Sequence, residues 1–127
     1  MIVYVATPYS KYKDGIERAF IEAAQITAKL IASGIHAYSP ICHTHPVAVY
    51  GNMDPLDHGI WLKFDQAMMN AASSLIVVKM DGWDQSTGIK HEIEEFSRSG
   101  KLITFLDPVS MEIERNDNPD SAVPAID

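Results

Sequence analysis

Glu92 lies four residues after Gly88 in the stretch Ser86-Thr-Gly-Ile-Lys-His-Glu92. That spacing puts Gly88, Glu92 and Phe96 on one helical face at i, i+4, i+8. A carboxylate in the first turns of a helix, beside its N–H donors, is well placed for chemistry on an anionic substrate. A second carboxyl, Asp65, follows Trp61 by four residues and sits beside Phe64. An aromatic neighbourhood favours its protonated form. A carboxylate and a protonated carboxylic acid are the two partners that nucleophilic and general-acid chemistry needs. Tyr4 is placed to hold Glu92 by a hydrogen bond from a neighbouring strand. Trp61 offers a ring for stacking. Ser86, Thr87 and the N–H groups at Gly88 make an anion seat at a helix N-terminus, in a polar loop that also carries Asp84.

Each residue has a plainer reading. Glu92 can be a solvated carboxylate that complements the helix dipole. A capping box does not account for it, because Ser86 or Thr87 as N-cap pairs with Ile89 or Lys90. Asp65 can be a surface residue, Trp61 and Tyr4 core residues, and Ser86 and Thr87 simple caps. The rival signal is His43-Thr-His45, followed by Asp54, Asp57 and His58. Two histidines at i, i+2 can bind a metal, but nothing fixes a third ligand. His43 and His45 are read instead as substrate-binding residues at the rim of the site, His45 also tuning Asp65, or else as structural loop histidines. No metal or other cofactor is expected, and Cys42 is read as inert.

The elements that must position these residues alternate. Ile2–Ala6 reads as a strand closed by Thr7-Pro8. Residues 13–33 carry Ala19, Phe20, Ala23, Thr27, Leu30 and Ile31 at helical spacing, and Gly34 supplies a stop. Residues 35–39 read as a second strand and 41–54 as a loop. Residues 55–72 read as a helix with Leu56, Ile60, Phe64, Ala67, Met68 and Ala71 inward. A strand at 75–80, a helix at 88–99 ended by Gly100, and a strand at 102–106 follow. Alternation predicts an α/β/α three-layer fold with a parallel sheet of four or five strands, flavodoxin-like or Rossmann-like. Reactive groups should gather at the carboxyl ends of the strands, at Thr7, Pro8 and Tyr9, at residues 39–45 and at residues 81–88.

The chain has 127 residues and a net charge of −7, with 46% hydrophobic residues. That describes one soluble globular domain. The acidic balance argues against nucleic acid and anionic membranes as partners, since both need basic surface. A single cysteine, an early first strand and no spanning apolar run predict a cytoplasmic protein.

Three elements carry a resemblance: Tyr4-Val-Ala-Thr-Pro8 on the first strand, Asp65 in Phe64-Asp-Gln-Ala-Met-Met-Asn-Ala-Ala-Ser73, and Gly88 four residues before Glu92. In that order they resemble the nucleoside 2-deoxyribosyltransferase and 2′-deoxynucleoside 5′-monophosphate N-glycosidase superfamily, in a short bacterial and phage branch. The resemblance spans residues 1–107. It implies a single N-(deoxy)ribosyltransferase-like domain at 1–110 with a C-terminal tail at 111–127. It also implies Glu92 as nucleophile, Asp65 as acid, and a site completed by a second subunit of a homodimer or homotetramer. Ser86, two residues before Gly88, matches the monophosphate glycosidases rather than the transferases. Glu94 replaces the usual small residue, and the Gly/Arg-rich first loop is absent. The expected activity is cleavage of the N-glycosidic bond of a (deoxy)nucleoside 5′-monophosphate or related nucleotide. The alternative is a catalytically weak nucleotide-sensing domain.

Overall fold

The computed structural model describes residues 1–115. In chain order the elements are β1 (Val3–Ala6), α1 (Ile16–Ala32), β2 (Ala37–Tyr38), α2 (Pro40–Tyr50), α3 (His58–Ala71), β3 (Ser74–Val78), a 3-10 turn (Trp83–Gln85), α4 (Thr87–Arg98), β4 (Leu102–Leu106) and β5 (Ile113–Arg115). The strands form one sheet in the order β2-β1-β3-β4-β5. β1 runs parallel to β2 and β3, and β3 parallel to β4.

β5 is antiparallel to β4, so the sheet is mixed and mostly parallel, not wholly parallel. The connection explains it. The Asp107 carboxylate accepts from the backbone N–H groups of Val109 and Ser110, folding the chain back on itself. So short a connection returns a strand only antiparallel. β5 lies within the stretch assigned to the tail, and residues 116–127 lie outside the described residues.

Side chains alternate across the buried strands and feed two cores. Tyr4, Ala6, Leu75, Val77, Ile103 and Phe105 face Met69 and Ala72 of the α3 end and Ile89, Ile93 and Phe96 of α4. Val5, Ile76, Val78 and Leu106 face Ala19, Ile26 and Leu30 of α1. Helices thus cover both faces. Gly34 and Gly100 end α1 and α4 at φ +99° and +68°, where a side chain is strained. Beyond them the N–H groups of Ile35 and Lys101 reach back to Leu30 and Phe96 carbonyls.

Two expectations need correction. Residues 41–54 are not a loop: Pro40–Tyr50 is helical. Ser39 caps it by accepting from the Cys42 N–H, and Pro40 occupies the first turn, where its missing N–H costs nothing. Pro46 is tolerated inside because Ile41, His45 and Ala48 are buried. The inward face of α3 also differs. Leu56, Ile60, Ala67 and Ala71 are exposed, and Met69 is the buried residue of the helix. Trp61, Asp65 and Met69 share one face of the helix at i, i+4, i+8, and its central position is polar. Among the described residues no helix is long and apolar enough to cross a membrane.

Candidate active site

A cavity of about 330 Å³ opens at the carboxyl ends of β1, β2 and β3. That lies in the size range of small-molecule sites. Each element places a few residues on it. The loop after β1 brings Thr7 and Tyr9, the start of α2 brings Thr44, and α3 brings Trp61 and Asp65. The first turns of α4 bring Ser86, Thr87, Gly88, His91 and Glu92. The two carboxyls, far apart in sequence, share one wall.

Burial shapes their electrostatics. Desolvation pushes Asp65 up to about 6. It pushes Glu92 further, to about 8, against the lowering effect of Tyr4 and with the Asp65 charge adding to the rise. Protein surrounds Glu92, yet the cavity leaves it partly open to solvent. Tyr4 is fully buried, and desolvation together with the charges of Glu92 and Asp65 raises it far above the phenol range. Its hydroxyl is close enough to Glu92 to lower that carboxyl as a hydrogen bond does, although it meets no strict hydrogen-bond geometry. Tyr38, beside Tyr4 on β2 with ring centroids 5.9 Å apart, is raised to about 12 by burial and by Asp65.

Among the described residues the buried side-chain atoms without a hydrogen-bond partner are Tyr4 Oη, Thr7 Oγ1, Tyr38 Oη, Asp65 Oδ1 and His91 Nε2. Thr7, Asp65 and His91 line the cavity, and both tyrosines couple to Asp65. An unpartnered buried polar atom costs about 1–3 kcal/mol. Gathered at one place, they give this wall hydrogen-bonding capacity that the protein's own groups do not take up.

The remaining expected site residues divide. Trp61 lines the cavity, and its indole N–H donates to the Asp54 carbonyl at 2.8 Å, fixing the ring. Ser86 caps α4 by accepting from the Ile89 N–H, while Thr87 and Gly88 bring first-turn N–H groups to the wall. Pro8 and Asp84 do not line the cavity: Pro8 is buried and lines a smaller neighbouring cavity, and Asp84 is exposed on the 3-10 turn. His43 does not line it either; it stacks on Phe64 with centroids 5.4 Å apart. Nor does His45, which is 3% exposed and bonded to Tyr9 and Glu17 rather than to Asp65. Helix α2 turns both histidines from the rim. Among the described residues no group of three or more His, Cys, Asp or Glu side chains is arranged to hold a metal.

Two site residues were absent from the sequence reading. His91 falls on the Gly88–Glu92 stripe at i+3, so helical spacing alone could have found it. Tyr38 is signalled only by its register opposite Tyr4.

The raised carboxyls have a stability consequence. Both bind protons more tightly folded than unfolded, with ordinary values of 3.8 and 4.5. Their contribution is fully present below about pH 4 and is lost as pH rises through the folded values, toward about 8. Urea unfolding should therefore show stability falling by about 1–3 kcal/mol across that window, after allowance for partial solvation. Glu92→Gln should flatten most of the fall. An unchanged slope in that variant would show that Glu92 is not held in its neutral form.

No curated protein matches the chain. The family model described as "Domain of unknown function (DUF1937)" matches residues 1–107, a span that includes β1 to β4 and every residue lining the cavity. The chain belongs to the DUF1937 family.

Proposed function

We propose that this cavity cleaves the N-glycosidic bond of a (deoxy)nucleoside 5′-monophosphate or a related nucleotide, with Glu92 forming a ribosyl intermediate and Asp65 protonating the leaving base. The observation that carries the reading is the pair of raised carboxyls on one cavity whose wall holds unpartnered polar atoms. The resemblance of the Tyr4, Asp65 and Gly88–Glu92 elements to the deoxyribosyltransferase and monophosphate N-glycosidase superfamily supports it. A cavity at the carboxyl ends of parallel strands, where open α/β sheets bind ligands, is compatible with it.

The chemistry requires one proton on the pair. In the free site that proton rests on Glu92, the more strongly raised group. The reaction needs it on Asp65. Two features of the substrate favour the exchange: a base nitrogen that accepts from Asp65, and positive charge growing on the sugar beside Glu92. Tyr4 then stabilises the Glu92 carboxylate. Thr87, Gly88 and His91 hold the anionic end at the α4 N-terminus. If water enters, the intermediate is hydrolysed; if a second base enters, it is transferred.

Among the described residues no Lys or Arg lines the cavity. That observation favours a second reading, in which the ligand is the uncharged nucleoside. One assay tests both. Purified protein is incubated with a panel of nucleosides and their 5′-monophosphates, ribo and deoxy, and free base is measured by chromatography. Release from one member of the panel supports the reading. No release from any, with binding retained, leaves the nucleotide-sensing alternative in its place.

We also propose that the protein self-associates through the surface where α2 meets α3. Val47, Val49, Tyr50, Leu56, Ile60 and Leu62 are exposed there, Tyr50 to 89%. Exposed apolar residues concentrated on two segments, Leu56 and Leu62 also lining the cavity, are the kind of surface that interfaces use. Light scattering should give a mass that is a multiple of 14.1 kDa. A single-chain mass at every concentration would exclude the interface.

A further inference from the structure

His45 and Glu17 take no part in the chemistry above, yet they are joined to the cavity by an ordered chain of hydrogen bonds. The Tyr9 hydroxyl lies 2.5 Å from His45 Nδ1, and His45 Nε2 lies 2.8 Å from Glu17 Oε2. The imidazole is clamped between rings. It stacks on Phe20 at 4.6 Å and 24°, and meets Tyr9 edge-on at 5.6 Å and 82°. Tyr9 stands on the cavity wall, His45 is buried behind it, and the Glu17 side chain is 70% exposed on α1.

The direction of these bonds follows from the outer end inward. A solvent-facing carboxylate at neutral pH accepts hydrogen bonds and has none to donate. His45 Nε2 therefore carries a proton. In the neutral imidazole the other nitrogen is then an acceptor. Tyr9 must donate to it. Its only hydrogen is turned into the protein, so all that its oxygen can offer a ligand is lone pairs. Burial and the Glu17 charge push the Tyr9 phenol up to about 12, so it keeps that hydrogen.

We propose that Tyr9 is the cavity's acceptor for a neutral hydrogen-bond donor on the ligand, an alcohol hydroxyl or an amine, and that His45 and Glu17 are the positioning residues that set its polarity. An anionic oxygen is repelled at this point, because it would meet lone pairs. The phosphate of a nucleotide therefore does not meet the Tyr9 hydroxyl; a sugar hydroxyl or a base amino group does. This assignment rests on the nucleotide reading only in its choice of probes.

The test has two arms. Nitrogen-15 NMR of the His45 ring at neutral pH should show a protonated Nε2 and an unprotonated Nδ1. In Glu17→Gln, a change on an exposed helix face, that single tautomer should give way to a mixture. A ring protonated at Nδ1 in the wild type, as imidazolium or as the other tautomer, overturns the proposal. The second arm is calorimetric. Wild type and Tyr9→Phe are titrated with 2′-deoxynucleoside 5′-monophosphates and their 2′,3′-dideoxy counterparts, and with aminopurine nucleotides and their unsubstituted purine counterparts. Loss of the group that meets Tyr9 should weaken wild-type binding about 5–10-fold. In Tyr9→Phe that gap should close to less than about twofold. Which pair shows the gap distinguishes hydroxyl from amine. Equal gaps in both proteins overturn the proposal. Absence of all binding to the wild type overturns the nucleotide reading instead, and the nitrogen shifts then decide the polarity by themselves.

Discussion

Glu92→Ala should release no detectable base from any nucleotide that the wild type cleaves, a loss of about 10⁴-fold or more. Removing a covalent nucleophile deletes a step rather than weakening one, which is why such losses are large. Folding should survive. Position 92 is inside α4, and alanine is the residue best tolerated in a helix. The variant should even be the more stable protein at pH 8, since it removes a group that burial keeps from ionising. Loss of activity with gain of stability is a pairing that a merely structural glutamate does not give. Glu92→Gln sharpens the result by keeping the shape of the side chain. Turnover within tenfold of wild type in that variant would end the case for a ribosyl intermediate.

Asp65→Asn should slow base release by about 10²–10⁴-fold, the usual worth of a positioned general acid. The size of the loss should depend on the leaving group. A glycoside whose leaving group departs as a stable anion, such as a nitrophenol, needs no proton and should be cleaved at nearly the wild-type rate. The pH profile carries the same information. In the wild type kcat/KM should be bell-shaped, falling below about 6 and above about 8, the range in which the pair holds one proton. In Asp65→Asn the fall at high pH should vanish. An equal loss on natural and activated substrates would remove Asp65 from the acid role.

Much of this arrangement was legible before folding. The strands β1, β3 and β4 are short, apolar and bounded by turn residues, and Gly34 and Gly100 stop their helices where local geometry demands. Glu92 and Asp65 could be paired because each stands at a readable position relative to a strand end. What the sequence hid has physical reasons. α2 contains Pro40, Pro46 and two histidines, so local propensity reads as loop; burial of Ile41, His45 and Ala48 overrides it. The face of α3 was misjudged because its inward stripe carries a carboxyl at Asp65, and apolar periodicity points away from such a stripe. The bond from His45 to Glu17 spans two helices that no local pattern connects. β5 was missed because three exposed residues carry almost no hydrophobic signal.

The outermost strands have a bearing on how copies of this protein can meet. β2 is two residues long and β5 three, Ile113-Glu114-Arg115, with charges at two of its positions. A sheet margin that short presents few free N–H and C=O groups to another chain, and charge discourages a flat approach. Among the described residues neither side offers a long template for strand addition. That leaves the helical surface for the proposed interface, and cross-β polymerisation through these two margins is disfavoured.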